Sequence, residues 1–327
     1  MLDRRRFAAL SSASVLSAAL GPTARAQSQT FPTRFVRLIV PFPPGGGTAA
    51  IARVISGRLS AVWGQQMVVE NKGGGATSIG TDAVAKADPD GYTVLLQSMP
   101  LAVNKFLFKT LPFDPVADLA PVSLVCDYPN IMAVPMSSPA HTVKEFIDYA
   151  RANPGKVTYA SSGHGTSVHL SGELFNRMTG LKLLHVPYRG AGPALNDLIP
   201  GRVDVMFNNT GAVTPLIQGG KLRALGVTSL KRLAALPDVP TVSEAGVPGF
   251  DVTAWYAMFV PARTPEAIIR KMHADTVTAV TDPDTKARLE QLGVGVVASS
   301  PEELRITLAS EMAKWGTIIE EAGIKVE

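Results

Sequence analysis

The sequence predicts a two-lobed α/β fold, and three observations support this prediction. Short runs rich in β-branched residues alternate with segments of helical periodicity along almost the whole chain. Gly, Pro, Ser and Thr mark most points where one pattern changes to the other. One long apolar run, 122–134, is interrupted at Tyr128 and Pro129, which is typical of a strand that crosses between two lobes. We therefore expect parallel strands that alternate with helices and are divided between two lobes.

Each element follows from a local pattern. Ile51, Ile55 and Leu59 recur on one face of a predicted helix. Thr142 and Glu145 have the spacing of a capping box, in which each side chain accepts a hydrogen bond from a backbone amide of the first turn. The predicted strands are 36–41, 67–70, 92–97, 122–134, 157–160, 182–187, 203–207, 222–228 and 252–260. The predicted helices cover 49–62, 167–178, 193–199 and 213–218, with others ending near 86 or beginning at 142, 264 and 300.

Composition excludes several classes of protein. The 327 residues are 46% hydrophobic and 18% charged, which is typical of a globular chain of about two domains. A single cysteine, Cys126, excludes a disulfide framework and a cysteine-rich zinc site, and we expect it to be buried. Residues 1–26 carry +3 of the net charge of +4, so the remaining chain is nearly neutral. A nucleic-acid-binding surface is therefore not expected.

The N-terminal segment has the pattern of a signal peptide. Arg4, Arg5 and Arg6 precede a 14-residue apolar run, and Ala24-Arg25-Ala26 supplies the small residues of a cleavage site. We expect cleavage after Ala26 and a periplasmic location, because the run is shorter than the ~20 residues that span a bilayer. The paired arginines also fit the twin-arginine export route, which remains open beside the general route. An uncleaved N-terminal anchor is the alternative.

Three loops rich in small residues follow predicted strands, at 42–48, 71–77 and 161–166. In open α/β sheets such loops lie at the carboxyl ends of strands, where ligands bind. Their backbone amides beside a helix N-terminus suit a carboxylate or phosphate. The first loop lacks the Gly-Lys-Ser/Thr of a nucleotide-binding loop. Tight turns without a ligand are the alternative for each loop.

Catalytic and metal sites have weaker support. Ser162 lies near His164 and His169 but lacks the Gly-x-Ser-x-Gly pattern of a serine hydrolase. His169 and Glu173 are spaced to share one helix face, yet no further metal ligands are evident. We expect His169 to orient the preceding loop and Glu173 to pair locally. No catalytic residue, no metal and no cofactor is therefore predicted.

Ordered motifs along nearly the whole chain beyond residue 26 resemble one family, the periplasmic solute-binding proteins of tripartite tricarboxylate transporters, often called the Bug family. The motifs are IVPFPPGG at 39–46, VEN at 69–71, ADPDGYT at 87–93, YASSG at 159–163, HLSGE at 169–173, HVPYRG at 185–190, LRALGVT at 222–228, PTVSEAG at 240–246 and WY at 255–256. The resemblance implies a type II periplasmic-binding-protein-like fold that holds a small carboxylate between its lobes.

The resemblance also implies the ligand contacts. From the first lobe they are Phe42, Pro44, Gly45, Gly46, Gly47 and the residue at position 49, and from the second lobe Ser162, Gly163, Gly165 and Thr166. Thr48 and Ala76 in the loops and Ser98 at a strand end are further candidates. Tyr188 and Phe207, with Met99 and Tyr128, are candidates for an apolar wall, although Tyr188 equally fits a place in the core.

Two positions depart from the family pattern. Ala49 stands where the family usually has Asp, and the loop at 73–77 lacks the usual Pro before its glycines. Without that carboxylate a ligand ammonium group loses its partner, and an unpaired buried cation costs several kcal/mol. We therefore expect a di- or tricarboxylate or an aromatic acid rather than an amino acid.

The sequence thus predicts a periplasmic solute-binding protein that closes around a small organic carboxylate. Its lobes would be 31–125 with 229–327, and 126–228. Partners would be the permease subunits of a tripartite transporter, with the protein itself a monomer. A ligand-sensing module that acts on a receptor protein and a secreted enzyme of unknown type are the alternatives. The sequence leaves the ligand unnamed.

Overall fold

The computed structural model describes residues 31–44, 47–321 and 323–324, so the predicted signal peptide lies outside the described residues. The strands are β1 Val36–Val40, β2 Met67–Asn71, β3 Thr93–Gln97, β4 Leu119–Pro135, β5 Thr158–Ser161, β6 Leu184–Pro187, β7 Val205–Asn209, β8 Leu222–Val227, β9 Thr253–Pro261 and β10 Gly295–Val296. The helices are α1 Gly47–Trp63, α2 Ser78–Ala85, α3 Pro100–Leu107, α4 Val143–Ala152, α5 Ser167–Thr179, α6 Ala191–Leu198, α7 Thr210–Gln218, α8 Glu266–Thr281, α9 Pro283–Gln291 and α10 Pro301–Glu321. The predicted α/β alternation is confirmed.

The strands form one mixed sheet in the order β2-β1-β3-β9-β4-β7-β5-β6, with β8 and β10 also paired to β4. Pairing is parallel at both ends of this order, between β1 and its neighbours and between β5 and its neighbours. The central strands β4 and β9 pair antiparallel to each other and to their other neighbours. The expectation of parallel strands is therefore wrong for the centre of the sheet. Periodicity identifies strands, but strand direction depends on long-range pairing.

Strand β4 exchanges its partners at the predicted interruption. It pairs with β9 up to Pro129 and with β7 from Asn130 onward. Asn130 is fully buried, and its backbone amide donates to Thr228 Oγ1 over 2.8 Å. The division into lobes at 126 and 228 stays a prediction, since the described residues from Arg34 onward form one compact unit.

An aromatic cluster fills the interior beside α5. It is formed by Phe146, Phe175, Phe207 and Phe250, all fully buried, with ring centroids 5.4–6.3 Å apart between neighbours. Burial of one such ring contributes about 1.5–3 kcal/mol. Cys126 is also fully buried, as predicted, and burial raises the pKa of its thiol.

Capping residues begin α4 and α10 where the sequence predicts. The Glu145 amide donates to Thr142 Oγ1 over 3.1 Å, and the Glu145 carboxylate accepts from the His141 amide. Before α10, the Glu303 amide donates to Ser300 Oγ, and the Ser300 amide donates to the Glu303 carboxylate. Helices α3 and α9, each of which begins at a proline, were not predicted. Within the described ranges, no helix combines the length and apolar character needed to cross a membrane.

Candidate ligand-binding site

Two adjoining cavities lie where the glycine-rich loops meet the ends of strands. The first, which we call the polar cavity, has a volume of about 400 Å³ and is lined by Phe42, Pro43, Pro44, Gly47, Thr48, Ser98, Tyr128, Ser162, Thr166, Ser167, Arg189, Gly190, Ala191, Gly192, Pro193, Asn209 and Tyr256. The second, the glycine-lined cavity, has a volume of about 550 Å³ and is lined by Pro41, Phe42, Pro43, Gly73, Gly74, Gly75, Ala76, Thr77, Ser162, Gly163, His164, Thr166, Pro187, Tyr188 and Arg189. Five residues line both, so the two cavities are neighbours.

Four helices begin at the wall of the polar cavity. Gly47 and Thr48 open α1, Thr166 caps α5, Gly190 caps α6 and Asn209 caps α7. The first backbone amides of a helix have no partner within the helix, and the helix dipole adds a partial positive charge there. Four helix N-termini around one cavity therefore create a positive environment without requiring charged side chains.

Tyr256 on β9 joins residues from two helix N-termini. Its hydroxyl lies 3.0 Å from Thr48 Oγ1 and accepts a hydrogen bond from Asn209 Nδ2 over 3.3 Å. Its ring stacks on Tyr128 with centroids 4.9 Å apart. Both tyrosines are buried, and burial raises the pKa of each phenol. Tyr256 therefore presents a neutral hydroxyl at the wall of the polar cavity.

The charge of the lining residues favours an anion. None of the described lining residues of either cavity is Asp or Glu, whereas the exposed side chain of Arg189 lines both cavities. Hydroxyl groups of Ser98, Ser162 and Ser167 add neutral hydrogen-bond donors. This lining can neutralise a negative ligand, but it offers no carboxylate partner to a cation.

The loop between β5 and α5 is held by its own side chains. The Gly163 amide donates to Ser161 Oγ over 3.2 Å, and the Gly165 amide donates to His169 Nδ1 over 3.3 Å. Gly163 and Gly165 have φ values of +124° and +74°, which an L side chain adopts only with strain. The prediction that His169 orients this loop is confirmed.

Three histidines lie together behind this loop. Burial lowers the pKa of His164, His169 and His185, in the last case to about 4. Glu173, whose pKa is raised by burial, accepts a hydrogen bond from the Tyr159 hydroxyl, so the prediction that it pairs locally is confirmed. The three imidazoles are therefore neutral near pH 7.

The structure brings most of the predicted contact residues to these cavities. Those that line the polar cavity are Phe42, Pro44, Gly47, Thr48, Ser98, Ser162 and Thr166. Those that line the glycine-lined cavity include Ala76, Gly163 and Tyr188. Gly45 and Gly46 lie outside the described residues.

Four predicted contact or wall residues line neither cavity, and one of them, Met99, is fully buried. Ala49 is fully buried in α1, and Phe207 is fully buried in the aromatic cluster. Gly165 packs against α3, where a Cβ atom would lie 3.0 Å from Asn104 Oδ1. A buried position in a helix or strand has the same sequence pattern whether it faces a ligand or the core.

Sequence reasoning missed several lining residues. Tyr256, Asn209, Ser167 and Arg189 all line the polar cavity. Arg189 and Tyr256 belong to motifs that the sequence analysis quoted, but only as markers of a resemblance. Two features of the sequence could have indicated such residues. Asn209 is a polar residue at the end of a strand, and Arg189 is a cation directly before Gly190.

Comparison with protein families identifies the chain. The model of the tripartite tricarboxylate transporter family receptor matches residues 51–324. The chain belongs to this receptor family. The matched segment includes β2 to β9, and therefore most of the lining residues of both cavities. The resemblance stated from the motifs is confirmed, as is a periplasmic-binding-protein-like α/β fold.

Relatives of this receptor support the assignment over about nine tenths of the chain. It is 42% identical over 292 residues to a UPF0065 protein in the tcbD-tcbE intergenic region of Pseudomonas sp., covering 89% of this chain and 87% of that one. The structure of Rpa4515 from R. palustris with adipate has a TM-score of 0.87 and 36% identity, covering 90% and 100%. The structure of MatC from Rhodopseudomonas palustris with bound malate has a TM-score of 0.82 and 32% identity, covering 88% and 100%.

Proposed function

We propose that this receptor captures a small organic carboxylate in the polar cavity, without covalent chemistry. The observation that carries the proposal is the convergence of four helix N-termini on a cavity whose described lining residues include no acidic side chain. Similar receptors whose structures contain adipate and malate support a carboxylate ligand.

The lining also favours a ligand with two carboxylates and no amine. The helix N-termini and hydroxyl groups supply donors for one carboxylate, and Arg189 supplies a separate cation for a second. An ammonium group would find no carboxylate partner among the described lining residues. The presence of Ala49 in place of the family's usual Asp points the same way, although Ala49 does not line the cavity itself.

Titration calorimetry with the purified protein tests this proposal. Adipate and malate should bind with one site per chain, whereas aspartate should bind at least about tenfold more weakly, because an unpaired buried cation costs several kcal/mol. Hexane-1,6-diamine, which has the chain length of adipate and opposite charge, is the matched control and should not bind. Tighter binding of aspartate or of the diamine than of both carboxylates would contradict the proposal.

Capture also involves closure of the two predicted lobes, 31–125 with 229–327 and 126–228. The two contact loops at 42–49 and 162–166 come from different predicted lobes, so a shared ligand would draw them together. Small-angle scattering should show a smaller radius of gyration at saturating adipate. An unchanged radius of gyration at saturation would indicate that the receptor binds adipate without closing.

We assign the permease subunits of a tripartite transporter as the partners and a monomer as the functional form. The membership of a receptor family supports delivery to a transporter rather than catalysis. Pull-down of the ligand-bound protein from membranes should recover the permease. Recovery of a sensor protein in its place would favour the signalling role, and loss of adipate with formation of a product would favour an enzyme.

A further inference from the structure

We propose that His164, His169 and His185 form a binding site for a divalent transition metal ion of the zinc class. One potential ligand atom from each residue lies within 4.8 Å of those from the other two. The residues come from consecutive elements: His164 from the loop after β5, His169 from α5 and His185 from β6. The prediction of no metal considered only His169 and Glu173, because nothing in the sequence spacing joins His164 to His185.

The arrangement of the rings is close to what a tetrahedral ion requires. Zinc binds histidine nitrogen at about 2.0–2.1 Å, so two ligating nitrogens lie roughly 3.4 Å apart. The ring centroids are 4.3 Å apart for His169 and His185, 5.1 Å for His164 and His185, and 5.4 Å for His164 and His169. Because the potential ligand atoms already lie within 4.8 Å of one another, each pair would have to approach by no more than about 1.4 Å to share one ion.

A polar atom without a partner points to an absent ligand. Nδ1 of His164 is buried and has no hydrogen-bond partner among the described residues. Leaving a buried acceptor unsatisfied costs about 1–3 kcal/mol. A bound cation would remove this cost, because the lone pair of Nδ1 would then bind the ion.

Oxygen groups around the cluster have the positions of supporting residues in known metal sites. His169 Nε2 faces Glu173 Oε1 at 3.7 Å, so Nδ1 is the atom that would bind the ion, in place of the 3.3 Å hydrogen bond that it accepts from the Gly165 amide. His185 Nε2 lies 2.7 Å from Ser161 Oγ, which leaves Nδ1 of His185 for the ion. Metal-binding histidines commonly direct the nitrogen that does not bind the ion toward a carboxylate or another oxygen. Three protein ligands leave a fourth coordination position for water or another donor, and His164 also lines the glycine-lined cavity.

Calorimetry with ZnCl₂ tests the site on the purified chain after removal of metals with a chelator and dialysis. No carboxylate ligand is added, so the result does not depend on the proposed function. The wild-type protein should bind one Zn²⁺ per chain. His164→Asn should weaken this binding by at least about 100-fold, since even a supporting residue outside the coordination sphere contributes about 10–100-fold. His141→Asn is the matched control, because His141 is exposed and outside the cluster, and its affinity should equal wild type.

Cobalt substitution gives a second readout that a structural role for the histidines would not produce. Co²⁺ should give intense visible absorption bands typical of tetrahedral coordination, and His164→Asn should lose them. His164→Cys restores a ligand and should regain the bands, with an added sulfur-to-metal charge-transfer band. Equal Zn²⁺ affinity in His164→Asn and His141→Asn, or no binding by the wild type, would overturn the proposal. Thermal unfolding in chelator verifies that each variant is folded.

Discussion

The hydroxyl groups of Thr48 and Tyr256 lie 3.0 Å apart, and they join the first turn of α1 to the central strand β9. Asn209, at the end of β7, donates to the same tyrosine hydroxyl over 3.3 Å. One buried phenol therefore connects three elements at the wall of the polar cavity. Because Thr48 and Tyr256 are 208 positions apart, no local pattern indicates this contact.

Tyr256→Phe should weaken adipate binding by about fivefold. The variant keeps the ring that stacks on Tyr128 and removes only the hydroxyl, and one net hydrogen bond contributes about 1 kcal/mol. Titration calorimetry measures the change. Tyr149→Phe, which alters a tyrosine outside both cavities, is the control and should bind as wild type. Equal affinities for the two variants would show that the Tyr256 hydroxyl does not contribute to ligand binding.

Arg189→Gln should lower the affinity for dicarboxylates by about tenfold or more. A hydrogen bond to a charged group contributes about 1.5–3 kcal/mol, and the substitution removes the cation that lines both cavities. The residual binding should also depend less on salt concentration. Arg263→Gln changes an exposed arginine outside the cavities and serves as the control. A comparable loss of affinity in both variants would indicate a general effect of net charge.

Gly165→Ala should destabilise the fold more than Gly180→Ala. Both glycines have similar left-handed backbone angles, φ +74° and +69°, so both variants bear a strain of about 1–2 kcal/mol. A Cβ atom at Gly165 would also lie 3.0 Å from Asn104 Oδ1, whereas nothing lies within 4 Å at Gly180. Crowding of this kind typically lowers the unfolding free energy by about 1–3 kcal/mol more. Urea unfolding of both variants gives the difference, and equal losses would contradict the close packing of the loop on α3.

The unfolding free energy should fall as the pH is lowered from 6.5 toward 4, when metals are removed by chelator. His185 has a pKa of about 4 in the fold against 6.5 as its ordinary value. The unfolded chain therefore binds more protons in this window, and acid favours unfolding. His164 and His169, whose pKa values are also lowered, act in the same direction. Glu173 opposes them, because its pKa is raised and the folded state gains a proton.

His185→Gln should flatten this pH dependence, and His141→Gln should leave it as in the wild type. Glutamine keeps a polar group that can replace the hydrogen bond to Ser161 but does not titrate. Urea unfolding at a series of pH values between 4 and 7 measures the slope. A slope in His185→Gln equal to that of the wild type would assign the acid sensitivity to other groups.

Export should remove the first 26 residues, so that the mature protein begins at Gln27. The prediction rests on the small residues at 24–26 after a short apolar run. N-terminal sequencing of the periplasmic protein checks it, and an intact Met1 would show that it is wrong. Replacing Arg4, Arg5 and Arg6 by Lys keeps the charge and should sharply reduce export if the twin-arginine route is used.

The sequence by itself determined most of the elements and the family. Helix α1 was expected from Ile51, Ile55 and Leu59, and the structure buries all three. Caps at Thr142 and Ser300 were readable because a helix start depends on residues three positions apart. Motifs at the glycine-rich loops identified the family, because such loops need particular small residues at fixed positions. All of these features are local in the chain.

The tertiary structure decided the direction of the central strands and which residues line the candidate site. Strands β4 and β9 pair antiparallel across more than a hundred positions, and periodicity carries no information on that pairing. Ala49 and Phe207 have the pattern of buried residues, but only packing directs them into the core rather than to the walls of the cavities. The cluster of His164, His169 and His185 likewise exists only because β6 pairs beside β5, which brings distant residues together.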